Sequence, residues 1–139
     1  MRAAVALMDS AGCRWRVEST DDSSEGVVRF GRDPELRVDS ARLDIGSEVF
    51  VLEVSGGYMI PEYNYENDSW PEELQVQVLR GLAFADGRCR EVRRERNGVI
   101  VHGTLSFPDG AEARRWLTPL QRLRLRLTGR CRYIHTSRH

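Results

Sequence analysis

Polar and apolar residues alternate along most of this chain. In CRWRVE, residues 13–18, Cys13, Trp15 and Val17 alternate with Arg14, Arg16 and Glu18. That is the period of a strand with one buried face. Further strand-like stretches are VVRF (27–30), Leu36–Ile45 with mixed alternation, Val49–Val54 and Tyr58–Ile60. Past the middle of the chain, Cys89–Glu95, Val99–Phe107, Ala111–Leu117 and Leu120–Leu127 read as a four-stranded meander. The separators are turn-forming. They are TDDSSEG (20–26), GRDPE (31–35), Ser55-Gly56-Gly57, Asn97-Gly98, Pro108-Asp109-Gly110 and Thr118-Pro119. Glycine supplies positive φ, proline fixes φ, and Asn-Gly is the strongest short-range hairpin signal.

The period changes once. Leu74, Val78, Leu79 and Leu82 sit at helical spacing. Ser69 followed by Glu72 forms a capping box, and Pro71 suits the first helical turn. These signs predict a helix over 70–84, ended by Ala85-Asp86-Gly87, although the run QVQV (75–78) also permits a strand. The N-terminus begins with Arg2, an apolar stretch and SAGC, a degenerate version of a lipoprotein cleavage box. The apolar run Ala3–Met8 is shorter than the ~7–15 residues of a signal-peptide core. The expectation there is a strand, a DSAG turn and the strand of residues 13–18.

The resulting order, strands then one helix then strands, predicts an α+β fold. An antiparallel sheet of meander and hairpins carries one main α-helix packed on one face. One domain is expected over 1–128, followed by a tail over 129–139 with no core pattern.

Composition narrows the functional classes. The chain has 139 residues, the size of one domain, with 40% hydrophobic and 30% charged residues and zero formal net charge. Zero net charge argues against a general polyanion binder. All 21 cationic residues are arginine, a usage expected from a GC-rich bacterial genome. Arginine is planar, weakly hydrated and able to bind carboxylate or phosphate in a bidentate way. The cysteines, Cys13, Cys89 and Cys131, are odd in number and widely spaced, which suits a reducing cytoplasm better than a disulfide framework. No apolar run approaches the ~18–20 residues of a transmembrane helix.

Charge is segregated along the chain. From Gly110 onward there are eight arginines and one acid, Glu112, a local charge of +7. Acids cluster instead at Glu18–Glu25 and Glu62–Glu73. If LQRLRLRL (120–127) is a strand, Leu123, Leu125 and Leu127 point inward while Arg122, Arg124 and Arg126 point out. Arg114 and Arg115 on the neighbouring strand, with Arg90, Arg93, Arg94 and Arg96, would extend that face. Three uses compete for it: a solvated surface that blocks edge-to-edge association, a docking face for an acidic protein, and a groove for nucleic acid. A second contact region is YMIPEYNYENDSW (58–70), where Tyr63, Tyr65 and Trp70 have the character of recognition-loop residues.

Chemistry is sparse. Cys131, His135 and His139 repeat at four-residue spacing, which on a helix sets three ligand types near one face. No fourth ligand accompanies them, so no metal and no cofactor is assigned. There is no phosphate-binding glycine loop, no HExxH and no nucleophile elbow, and no enzyme activity is expected. FGRDPELRVDS (30–40) is similar to the opening of a forkhead-associated phosphopeptide-binding domain. That family then requires Ser-Arg-x-His, where this chain has Ser40-Ala41-Arg42-Leu43, and the helix departs from its all-β pattern. The family is not assigned. The functional expectation is a non-catalytic interaction module of the immunity-inhibitor, adaptor or chaperone kind, docking an acidic partner through the arginine face. A nucleic-acid-binding accessory domain is the alternative.

Overall fold

Alternation of period two translates into strands that share one sheet. The computed structural model describes residues 2–19, 25–33, 38–46, 49–63, 70–96 and 99–115, together with Leu120 and Leu123. The elements are α1 (Arg2–Ser10), β1 (Arg14–Ser19), β2 (Gly26–Asp33), β3 (Val38–Ile45), β4 (Val49–Val54), β5 (Tyr58–Tyr63), α2 (Trp70–Ala85), β6 (Arg90–Arg96), β7 (Val99–Ser106) and β8 (Glu112–Arg115). The class is α+β. The eight strands form one antiparallel sheet in the order β1-β2-β3-β4-β5-β8-β7-β6. The first five make a meander. The chain then crosses the sheet as α2, lands at the far edge as β6, and returns through β7 so that β8 pairs with β5.

The hairpins close as their turn residues direct. Ser55-Gly56-Gly57 joins β4 to β5 with Gly56 and Gly57 at positive φ. Pro108-Asp109-Gly110 joins β7 to β8, held by the Gly110 amide donating to the Phe107 carbonyl. The GRDPE segment, expected as a turn, is strand in its first three residues, and Pro34 and Glu35 lie outside the described residues. Gly31, Arg32 and Asp33 continue β2, and Asp33 pairs with Val38.

The N-terminal segment departs from expectation: residues 2–10 are helical, not a strand. Ala4, Leu7 and Met8 recur at i, i+3 and i+4, and alanine favours the helix. A short apolar run does not by itself separate the two states. Contact decides here, because Ala4 and Met8 are fully buried against α2 and β1. Burying a side chain such as Met8 contributes roughly 1.5–3 kcal/mol. The Trp15 indole N–H donates to Asp9 Oδ1 at 2.7 Å and ties the helix to β1. Both helices end in the same way. The amides of Cys13 and Arg88 donate to the carbonyls of Met8 and Ala83, with Gly12 and Gly87 in the left-handed region.

Helix α2 lies mainly over β2, β3 and β4. Leu74 and Val78 face the sheet, against Phe30, Leu43, Phe50 and Leu52 in the core. Leu79, one of the four residues defining the helical period, is instead 53% exposed. Gln77 takes an inward position, fully buried, its Nε2 donating to Glu62 Oε2 at 3.3 Å. Gly81 sets how close the helix sits. A Cβ there would come within 2.6 Å of Phe30 Cε2 and 2.9 Å of Ala41 Cβ. Arg80 clamps the helix to the other half of the sheet, with Nε donating to Asp109 Oδ2 at 2.7 Å and Nη1 lying 3.8 Å from Glu62 Oε2. Among the described residues, no helix is long and apolar enough to cross a membrane.

Candidate functional site

Adjacent residues on a strand point to opposite faces, so a run such as VRRE cannot crowd its arginines together. The sheet has an inner face under α2 and an outer face away from it. Arg94 and Arg114 are on the outer face, whereas Arg93 and Arg115 are on the inner face and line a cavity there. The expected single arginine surface is therefore split in two. Arg122, Arg124 and Arg126 lie outside the described residues. Leu120 and Leu123, which are described, have helical backbone and are 79% and 57% exposed, not the buried row of a strand. Tyr63 is on the outer face at the end of β5 and is 61% exposed. Trp70 opens α2, and Tyr65, Ser69, Cys131, His135 and His139 lie outside the described residues. Among the described residues, no three His, Cys, Asp or Glu side chains form a metal-binding group.

Over β1–β4 the outer face neutralises itself. Arg16, Arg29 and Arg42 stand opposite one another on three adjacent strands. Like charges so placed repel. Glu18 relieves them: its carboxylate lies 2.6 Å from Arg29 Nε, 3.3 Å from Arg42 Nε and 3.5 Å from Arg16 Nη2. The hydrogen bond from Arg29 is the main reason its carboxyl titrates below the ordinary value. Asp44 and Glu53 also pair with Arg42, so three carboxylates meet three guanidinium groups. The pairs of Glu18 with Arg29 and Arg42, and of Glu53 with Arg42, were not visible in the chain's local pattern, because they join residues of different strands.

Over β5, β8, β7 and β6 the same face is different. The row continues as Met59, Arg114, Thr104 and Val92. Met59 and Val92 are 39% and 37% exposed. Arg90 and Arg94 flank Val92 on β6, and Glu112 is the acid on this side of β8. Among the described residues, Arg90 and Arg114 have no carboxylate partner. Met59 and Val92 were not singled out from the sequence; the period-two reading of REVRRER, applied residue by residue, was the signal available for Val92.

The inner face of this half carries a cavity of about 340 Å³ beside the C-terminal end of α2. Tyr58 is its central feature. Its ring is 1% exposed and extends from β5 past β8 and β7 to β6, where its hydroxyl donates to Glu91 Oε1 at 2.8 Å. Gly103 makes room, since a Cβ there would come within 3.0 Å of Tyr58 Cζ. Burial, and then the bond to Glu91, push the phenol well above its ordinary value. Arg93 Nε is 3.2 Å from Glu95 Oε1, close enough for an ion pair but not aligned as a hydrogen bond. Cys89 also lines the cavity, and burial pushes its thiol up to about 11. It is thus a packing group at neutral pH, since only the thiolate is a good nucleophile.

No protein-family model matches the chain, and no curated protein and no solved structure matches it.

Proposed function

We propose that this chain is a non-catalytic interaction module that docks an acidic protein surface. The docking face is the outer side of β5, β8, β7 and β6. One observation carries the reading: among the described residues Arg90 and Arg114 have no carboxylate partner, and they sit among the exposed Met59 and Val92. Arginine and methionine are enriched at protein interfaces, where apolar contact supplies area and guanidinium groups supply directed bonds to carboxylates. The contrast with β1–β4 supports this choice. There each guanidinium in the row has an internal carboxylate and little left to offer a partner.

The test is charge reversal on that half alone. Arg90→Glu with Arg114→Glu should leave the fold intact and weaken a complex recovered from lysate by roughly tenfold or more, with the complex of the unaltered chain sensitive to salt. Arg16→Glu, on the self-neutralised half, serves as the comparison. A complex indifferent to the paired reversal would remove this face from consideration. Strong oligonucleotide binding with a steep salt slope would transfer the face to nucleic acid.

A further inference from the structure

The cavity on the inner face holds an incomplete charge pattern. Arg115 and Glu91 both line the cavity, and Glu91 accepts the hydrogen bond of the buried Tyr58 hydroxyl. Neither is paired with the other, and Arg115 has no carboxylate partner among the described residues. Glu91 spends one oxygen on Tyr58 and has the second to spare. Phe84 and Leu105 supply apolar lining to the same cavity. The rim includes Asp39, the one non-glycine described residue at positive φ, at 47°. Backbone strain of this kind clusters where a structure holds a ligand. The volume, about 340 Å³, lies in the range of small-molecule sites.

The charges decide what kind of molecule fits. Arg93 is paired with Glu95, whereas Arg115 and the second oxygen of Glu91 contribute one charge of each sign to the cavity. A plain anion would meet Glu91 as well as Arg115, and a plain cation would meet the reverse. A molecule carrying both signs a few ångströms apart satisfies both. We propose that this cavity binds a small zwitterion of the amino-acid kind, its carboxylate on Arg115, its ammonium on Glu91 and an apolar side chain over Phe84 and Leu105. Tyr58 is a positioning residue: its hydrogen bond fixes the Glu91 carboxylate across the sheet.

The site is on the opposite face from the docking surface and is independent of it. Its test is a titration of the full chain with L-phenylalanine, followed by amide chemical shifts. Saturable binding is expected at millimolar concentration. N-acetyl-L-phenylalanine, which lacks the ammonium, and L-phenylalaninamide, which lacks the carboxylate, should each bind roughly tenfold more weakly or worse. Arg115→Gln should weaken the amino acid and leave the amide unchanged. Glu91→Gln keeps an acceptor for Tyr58 and should weaken the amino acid while leaving the N-acetyl compound unchanged. Arg114→Gln, one residue away on the outer face, should bind the amino acid normally. Absence of saturation by the unaltered chain, or equal binding of all three compounds, would overturn the proposal.

Discussion

At the scale of single residues, Glu18 carries more of the outer face than its position in a polar segment suggests. It is the shared partner of Arg16, Arg29 and Arg42. Exposed pairs contribute little one at a time, but here removing one carboxylate leaves three facing guanidinium groups to repel. Glu18→Gln should therefore cost about 1 kcal/mol at pH 7, read from the urea midpoint. Because the folded carboxyl titrates below its ordinary value, its stabilisation is complete above that value and is lost as pH falls through the lowered one. The variant should accordingly lose less stability between neutral pH and pH 3 than the unaltered chain. Parallel acid-unfolding curves for the two would contradict the role given to Glu18. The residues that form this cluster were readable in the sequence as strand positions, yet their convergence was not, since strand register sets which of them meet.

Among elements, the seat of α2 is set by what is missing at Gly81. Alanine there should favour the isolated helix by about 1 kcal/mol. In the folded chain its methyl would enter the space of the Phe30 ring and Ala41. Overpacking of that kind costs typically 1–3 kcal/mol, so the crowding should win and Gly81→Ala should lower the thermal midpoint. A rise in the midpoint would mean that the helix is not held at this distance. Element identity was largely legible. The strands and α2 announce themselves through periods of two and 3.6, and their turns through glycine, proline and asparagine. The first helix was not legible as such, because Ala3–Met8 is short and apolar throughout, and only the buried contacts of Ala4 and Met8 select its conformation.

For the molecule as a whole, the weak point is the junction between the two halves of the sheet. Among the described residues, strands β5 and β8 pair at Tyr58–Arg115 and Met59–Arg114. The Tyr58 side chain spans that junction by bonding Glu91 on β6. Tyr58→Phe removes the bond, leaves a carboxylate without its donor, and should cost about 1–2 kcal/mol. The loss should fall on β6–β8, seen as faster amide exchange there than in β1–β4. The phenol also shapes the alkaline limit. Its ionisation is raised in the folded state, so its contribution is complete below the ordinary value near 10 and is lost as pH rises toward the displaced one. Tyr58→Phe should abolish that part of the alkaline instability. Uniform exchange across the sheet, with unchanged alkaline behaviour, would show that the junction is held elsewhere.

Local pattern determined the α+β class, the positions of most strands, the main helix and the turns, because each depends on residues within a few positions of one another. It also showed that the cations were all arginine and where they were dense. Tertiary structure decided what those arginines do. A step of one residue along a strand moves a side chain through the sheet, so Arg93 and Arg115 enter a cavity while Arg94 and Arg114 face outward. Which charges then find partners depends on strands far apart in the chain. Arg29 and Arg42 meet Glu18, whereas Arg90 and Arg114 meet no carboxylate among the described residues. Ion pairing across a sheet is a property of strand order and register, and neither is written in the alternation of a single segment.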